Sequence, residues 1–211
     1  MGLLTKLKQF YLMNNKQYLA QNALGFEGDT FLKEWFEKIT TENKITWIVE
    51  TGTFRGATTR HFANMAAKVD TIEINAENFA AAKETLAGVE NVNMHFGNSA
   101  EVLKAIFEAR PKQGKKPNTL FFLDAHWGEY NPLLDELALI KEYGFKPVIA
   151  IHDFKVLGNA ELGFDTYGSI VYEWDYIKDG IEAIYGAGKY RVEYNSQATG
   201  AKRGVIVILP A

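Results

Sequence analysis

The chain has 211 residues, 47% of them apolar and 23% charged, the make-up of one globular domain rather than of a disordered segment. It has no cysteine, which excludes disulfides, thiolate-bound metals, iron–sulfur clusters and thiol catalysis together. A formal net charge of -3 argues against a broad nucleic-acid-binding surface, and no run reaches the roughly 18 apolar residues of a membrane span.

Lys6 and Lys8 interrupt the apolar start of the chain, so no secretory leader is read there and a cytoplasmic protein is expected. Leu3, Leu4, Leu7, Phe10, Tyr11, Tyr18 and Leu19 keep a helical spacing over about 3–21. A second helix is predicted over 30–40, with Asp29 or Thr30 as N-cap and Phe31, Trp35, Phe36 and Ile39 on its apolar face. From residue 45 the pattern alternates. Strands are predicted at 45–50, 69–74, 91–96, 119–124 and 147–152. Helices follow them at about 56–67, 76–87, 99–109, 132–143 and 167–185. Two last strands, 190–194 and 205–209, flank a polar loop with Gly200 and Gly204.

Strands that alternate with helices imply a parallel sheet covered on both faces. The continuous apolar runs at 120–123 and 148–151 suit strands buried on both sides. The short loop between the last two strands makes that pair antiparallel. The fold class is therefore α/β: a doubly wound, Rossmann-like sheet of five parallel strands plus a C-terminal antiparallel hairpin. Residues 1–42 are read as an N-terminal helical cap of two helices, and 43–211 as the α/β domain.

The turn after the first strand reads Glu50-Thr51-Gly52-Thr53-Phe54-Arg55-Gly56-Ala57-Thr58-Thr59. Turns at this place bind nucleotides in doubly wound sheets. A dinucleotide turn needs a second glycine where Phe54 stands, and a phenyl group there blocks pyrophosphate. A Walker loop needs a lysine that Gly56-Ala57-Thr58 lacks. A strand-ending acid with Gly52 and Gly56 suits a ligand that bears a cation and no phosphate. Glu73 ends the second strand 23 positions after Glu50, where an acid accepts two hydrogen bonds from ribose hydroxyls. Gly97-Asn98-Ser99 is read either as small polar groups beside a purine or as a turn with an N-cap.

These segments, with 72–78 and Leu123-Asp124-Ala125-His126-Trp127, resemble the class I S-adenosylmethionine-dependent methyltransferases. The likeness is to small-molecule O-methyltransferases with an E-x-G-T-x-x-G-x-[ST] first motif, of the catechol, caffeoyl-CoA and macrocin types. It covers about 45–155 by motif and the rest by topology. The resemblance implies a seven-stranded sheet, S-adenosylmethionine as cofactor, and 43–211 as its binding domain. It implies that Thr51, Gly52, Thr53 and Gly56 wrap the methionine part, with Glu50 near its ammonium group. Thr58 would cap the helix beneath the carboxylate, Glu73 hold the ribose, and Ile74 lie against the adenine. Asn98 and Ser99 would border the adenine edge, and Asp124 would close the cofactor set. Many members of the family have Asp where Asn98 stands.

A second constellation lies at the ends of the fourth and fifth strands. Asp124 is followed two residues on by His126, and His152-Asp153 end the fifth strand. With those strands adjacent, the four groups converge at one carboxyl edge. Carboxylates and imidazoles are competent metal ligands. In the metal-dependent O-methyltransferases an acid after strand four and an Asp-Asn or Asp-Asp pair after strand five hold a divalent ion. Asp124 and Asp153 match two of those positions, and His152 stands where the family has an oxygen donor. The expected metal set is Asp124, His152 and Asp153, with Mg2+, or Mn2+ or Fe2+, as the ion. Such an ion lowers the pKa of a substrate hydroxyl. The metal-free alternative is a general base, His126 or His152, oriented by a nearby carboxylate. The catechol enzymes place a lysine shortly after the strand-four acid; this chain has none there, which makes His126 the chosen base.

The expected activity is O-methylation of a small hydroxylated molecule, assisted by a divalent metal, with no nucleic-acid or membrane partner. Two other readings are an iron-dependent hydroxylase using His126, His152 and one carboxylate, and a cofactor-binding protein without catalysis. Trp127, Tyr130, Phe154, Phe164, Tyr167 and Trp174 are read as acceptor-pocket walls or as core. The N-terminal helices are read as a cap or as a homodimer surface. His61 and His95 are read as structural.

Overall fold

The computed structural model describes residues 24–110, 116–125 and 130–211. The predicted helix over 3–21 and the residues His126 and Trp127 lie outside them. Five strands, β1 (Trp47–Thr51), β2 (Lys68–Glu73), β3 (Val92–Phe96), β4 (Thr119–Leu123) and β5 (Val148–Ile151), run parallel. A two-residue-strand hairpin, β6 (Thr166–Tyr167) and β7 (Ile170–Val171), stands apart from the sheet. The last strands are β8 (Tyr190–Tyr194) and β9 (Ile206–Pro210). The sheet order is β3-β2-β1-β4-β5-β9-β8, and β9 runs against both of its neighbours. The expected parallel sheet with its terminal hairpin is thus present. The order reverses between β1 and β4, which opens a crevice beyond their carboxyl ends.

Among the described residues the α-helices are α1 (Thr30–Glu42), α2 (Ala57–Ala63), α3 (Ala76–Thr85), α4 (Ser99–Glu108), α5 (Leu133–Glu142) and α6 (Trp174–Tyr185). Asp29 caps α1 by accepting the Leu32 N–H at 3.0 Å, and Asn75 and Asn98 do the same for α3 and α4. One prediction fails here: the helix expected over 167–185 begins only at Trp174. Gly168, at φ 62, and Ser169 make a tight turn, and Thr166, Tyr167, Ile170 and Val171 beside them pair as strands instead. No helix among the described residues is long and apolar enough to cross a membrane.

Alternation along the central strands sends side chains to two cores. Ile48, Leu120, Phe122, Val148 and Val207 pack under Phe26, Leu32, Phe36, Ile39 and Phe62. Val49, Phe121, Ile149 and Ile208 pack under Leu103, Phe107, Leu137, Ile177 and Ile181. The described part of the expected cap, from Phe26 through α1, therefore belongs to the first core. Phe36 lies 5.5 Å from Phe26 and 5.8 Å from Phe62, ring centre to ring centre.

Toward the other edge, Asp70 of β2 is buried among donors. Trp47 Nε1 (2.6 Å), Lys68 Nζ (2.8 Å) and His95 Nε2 (2.9 Å) all reach its carboxylate. Burial alone would raise this acid, but bonds from His95, Lys68 and Trp47 outweigh it and hold the pKa at about 2. His95 is thus a structural partner of an acid on the adjacent strand, and His61 meets the Leu24 carbonyl at 3.0 Å.

Candidate active site

The turn between β1 and α2 is built by close backbone approach. The Gly52 and Thr53 N–H groups both donate to the Ile72 carbonyl, at 2.9 and 3.1 Å. Gly52 has φ +87, and a Cβ there would lie 2.5 Å from the Asp124 carbonyl oxygen. Only glycine fits, and the turn is pressed directly onto the end of β4. Gly56, at φ +81, is itself the N-cap of α2, with no side-chain cap. This corrects the role expected of Thr58, whose hydroxyl accepts the Phe26 N–H at 2.9 Å and ties the N-terminal segment down. Thr51 is buried, and its hydroxyl accepts the Asp124 N–H at 3.3 Å.

Glu50 lies beneath the turn, only 1% exposed. Its Oε2 accepts the Thr59 hydroxyl and, at 2.6 Å, the Thr71 hydroxyl, which also meets Thr53 Oγ1 at 2.6 Å. Burial pushes this acid up to about 8, only partly offset by the two threonines. Its carboxyl is turned into the fold and not onto an open ligand face.

Glu73 stands at the end of β2, beside the turn. It accepts the Phe54 and Asn75 N–H groups, each at 2.7 Å, and burial raises its pKa. Ile74 next to it is 61% exposed, a large apolar side chain without cover. Gly97 N donates to the Glu73 carbonyl at 2.9 Å, which brings the end of β3 alongside. Asn98 spends its side-chain oxygen on the Ala100 and Glu101 N–H groups, so the N-cap reading holds for it. Ser99 is buried, and its hydroxyl has no hydrogen-bond partner among the described residues. An orphaned buried hydroxyl at this edge suits a polar ligand.

At the neighbouring strand ends Asp124, His152 and Asp153 come together. Each offers one ligand atom, all within 4.8 Å of one another. His152 Nδ1 lies 3.4 Å from Asp124 Oδ1 and 3.4 Å from Asp153 Oδ1. Burial alone would lower the imidazole pKa, but the two carboxylates outweigh it and hold it well above the usual range. His152 Nε2 has no hydrogen-bond partner among the described residues, although the side chain is almost wholly buried. Asp153 sits at φ 57, a conformation that costs energy for a non-glycine residue. His126, the expected base, lies outside the described residues.

Sequence reasoning missed three members of this cluster. Arg203, from the β8–β9 loop, bonds Asp153 through Nε and Asp165 through Nη2. Glu27 brings a further carboxylate into the field of His152, Asp153, Asp124 and Arg203, and burial pushes it up to about 7. Their signal was the glycines around them: Gly25, Gly28 and Gly200 have positive φ, and Gly200 leaves no room for a side chain over the Glu27 carbonyl. The aromatic set divides. Phe154 is core, Trp174 packs on Tyr190, Tyr130 bonds Asp135, Phe164 is exposed, and Tyr167 donates to Asp165 at 2.6 Å.

The three-residue donor set fits a divalent ion in number and spacing. It does not fit in charge. Asp153 is already bonded by the Arg203 guanidinium.

No family model matches the chain, and no curated protein matches it in sequence. Solved structures do match in fold. The O-methyltransferase TomG from Streptomyces achromogenes, in complex with SAM, is 18% identical at a TM-score of 0.62, over 85% of this chain and 79% of that one. The Bacillus cereus O-methyltransferase in complex with SAH is 16% identical at 0.60, over 86% and 81%. The SAH-bound Podospora anserina methyltransferase PaMTH1 is 14% identical at 0.57, over 98% and 94%. The strand order, the glycine turn at the switch point and these likenesses agree that the chain has the fold of the class I S-adenosylmethionine-dependent methyltransferases.

Proposed function

We propose that this protein is an S-adenosylmethionine-dependent methyltransferase that acts on a hydroxyl group of a small molecule. The observation that carries the reading is the contact at Gly52, where the cofactor-type turn touches the Asp124 backbone with no side chain between them. That contact sets an adenosine-shaped edge and an acid–imidazole cluster side by side.

The cofactor supplies a methyl group on a sulfonium: transfer breaks the S–CH3 bond, forms an O–CH3 bond, and leaves a neutral thioether and one proton. The chain's part is to bind, to aim and to take that proton. Glu73 keeps a lone pair for a ribose hydroxyl beyond the Phe54, Ile74 and Asn75 N–H groups it already accepts. Ile74 covers an adenine face, and the Ser99 hydroxyl reaches the adenine edge. Asp124 is the most open acid of the cluster, with its side chain 26% exposed. It takes the hydroxyl proton at a carboxylate oxygen, while His152 holds it in place from behind. Metal assistance rests on the Asp124–His152–Asp153 donor set, whose imidazole suits Mn2+ or Fe2+ better than Mg2+. The Arg203 bond to Asp153 counts against it.

Calorimetry with S-adenosylmethionine and S-adenosylhomocysteine tests the reading. Both should bind saturably, and Glu73→Ala should weaken them at least about tenfold through lost charge-assisted hydrogen bonds. Absence of binding by either would overturn it.

A further inference from the structure

We propose that Arg203 is a positioning residue of the acceptor site: its guanidinium is the cation that Asp153 uses, and it keeps divalent ions out of the Asp124–His152–Asp153 group. The use of the site rests on the methyltransferase reading; the exclusion of ions does not.

The geometry is a guanidinium held between two carboxylates, with an imidazole beyond. Asp165 and Asp153 hold the two ends of the Arg203 fork. The same Asp153 oxygen faces His152 Nδ1, whose other neighbour is Asp124. A planar guanidinium binds two carboxylates in fixed directions and does not give up its proton. A divalent ion on Asp153 would share that oxygen with a fixed positive charge. Removing one partner of such a buried pair leaves an uncompensated charge, and that vacancy is what an ion would fill.

Arg203 is carried on a fixed backbone. Its two neighbours in sequence are tied into the fold: Gly163 N donates to the Lys202 carbonyl, and Gly204 N to the Gly163 carbonyl, both at 2.8 Å. Phe154 N donates to the Gly204 carbonyl at 2.8 Å. A Cβ on Gly163 would lie 2.8 Å from Arg203 Nη1, and one on Gly204 would collide with the Phe154 carbonyl. Two glycines thus clear a slot through which the arginine reaches Asp153. Asp153, at the end of this slot, sits at a left-handed φ of 57.

The test uses the full chain with saturating S-adenosylhomocysteine and Mn2+ alone as the probe, read by titration calorimetry and by electron paramagnetic resonance of free Mn2+. The wild type should show no saturable Mn2+ site. Arg203→Met should gain one, at least tenfold tighter than any residual wild-type binding, and Asp124→Asn in that background should remove it. Arg203→Lys, which keeps the charge, should stay free of Mn2+. Arg203→Gln serves in place of the methionine variant if the latter does not fold. Saturable Mn2+ binding by the wild type, or its absence from a folded Arg203→Met or Arg203→Gln chain, overturns the proposal. Loss of S-adenosylhomocysteine binding by the wild type would instead sink the methyltransferase reading and leave the Mn2+ result standing.

Discussion

Two groups of buried acids sit on this sheet, and they are unlike. Asp70, near the β3 edge, collects donors from Trp47, Lys68 and His95 at ordinary hydrogen-bond distances, within regular strands. The Asp124–His152–Asp153 group, at the carboxyl edge, has 3.4 Å contacts, a left-handed aspartate and an imidazole nitrogen without a partner among the described residues. A satisfied acid in a regular ladder stabilises the fold. A buried imidazole nitrogen without a partner among the described residues, beside an aspartate at positive φ, suits a ligand site. Left-handed residues also stand at the second place: Asp153 in the group, Glu27 in its field and Lys202 next to Arg203.

The comparison breaks most sharply at Gly52. Gly52→Val drives a side chain into the Asp124 backbone and should cut S-adenosylhomocysteine affinity at least about 100-fold by calorimetry, a strain of a few kcal/mol. Asp124→Asn should slow methyl transfer to catechol probes by about 100-fold or more, read as product by mass spectrometry, with unchanged denaturant midpoint. Asp70→Ala should do the reverse. It should cost about 3 kcal/mol in urea unfolding, because three donors lose their acceptor, with cofactor affinity intact. If Asp124→Asn destabilised the fold as much as Asp70→Ala, the distinction would be lost.

The pH dependences are smaller and opposite in sign. The pKa of Asp70 falls from 3.8 to about 2 on folding, so its contribution is present above pH 4 and lost as pH drops toward 2. The stability gap between wild type and Asp70→Asn should therefore close over that window. The pKa of Glu50 rises from 4.5 to about 8, so the stability tied to its proton is present below about pH 4.5 and lost as pH rises toward 8. The wild-type melting temperature should fall across that range relative to Glu50→Gln. Parallel curves for the two proteins would mean that Glu50 is not held neutral.

Strand–helix alternation from residue 45 carried the architecture, because burial on two faces writes continuous apolar runs such as 120–123 into the chain. The helical pattern over 167–185 hides the hairpin at 166–171, where Gly168-Ser169 turns the chain between the pairs Thr166–Val171 and Tyr167–Ile170. Thr58 was misassigned for a similar reason: glycine caps α2, and the threonine answers a residue from another segment.

The sequence by itself determined the doubly wound class, the Gly52–Gly56 turn and the acids that end β1, β2 and β4, since these are local patterns with local causes. Only the tertiary structure decided what those acids meet. Glu50 turned inward to Thr59 and Thr71, 9 and 21 residues on. Arg203 crossed 50 residues to Asp153 because two glycines let its loop lie flat against the end of β5. Such pairings depend on loop closure and close backbone approach, which no short window of sequence encodes.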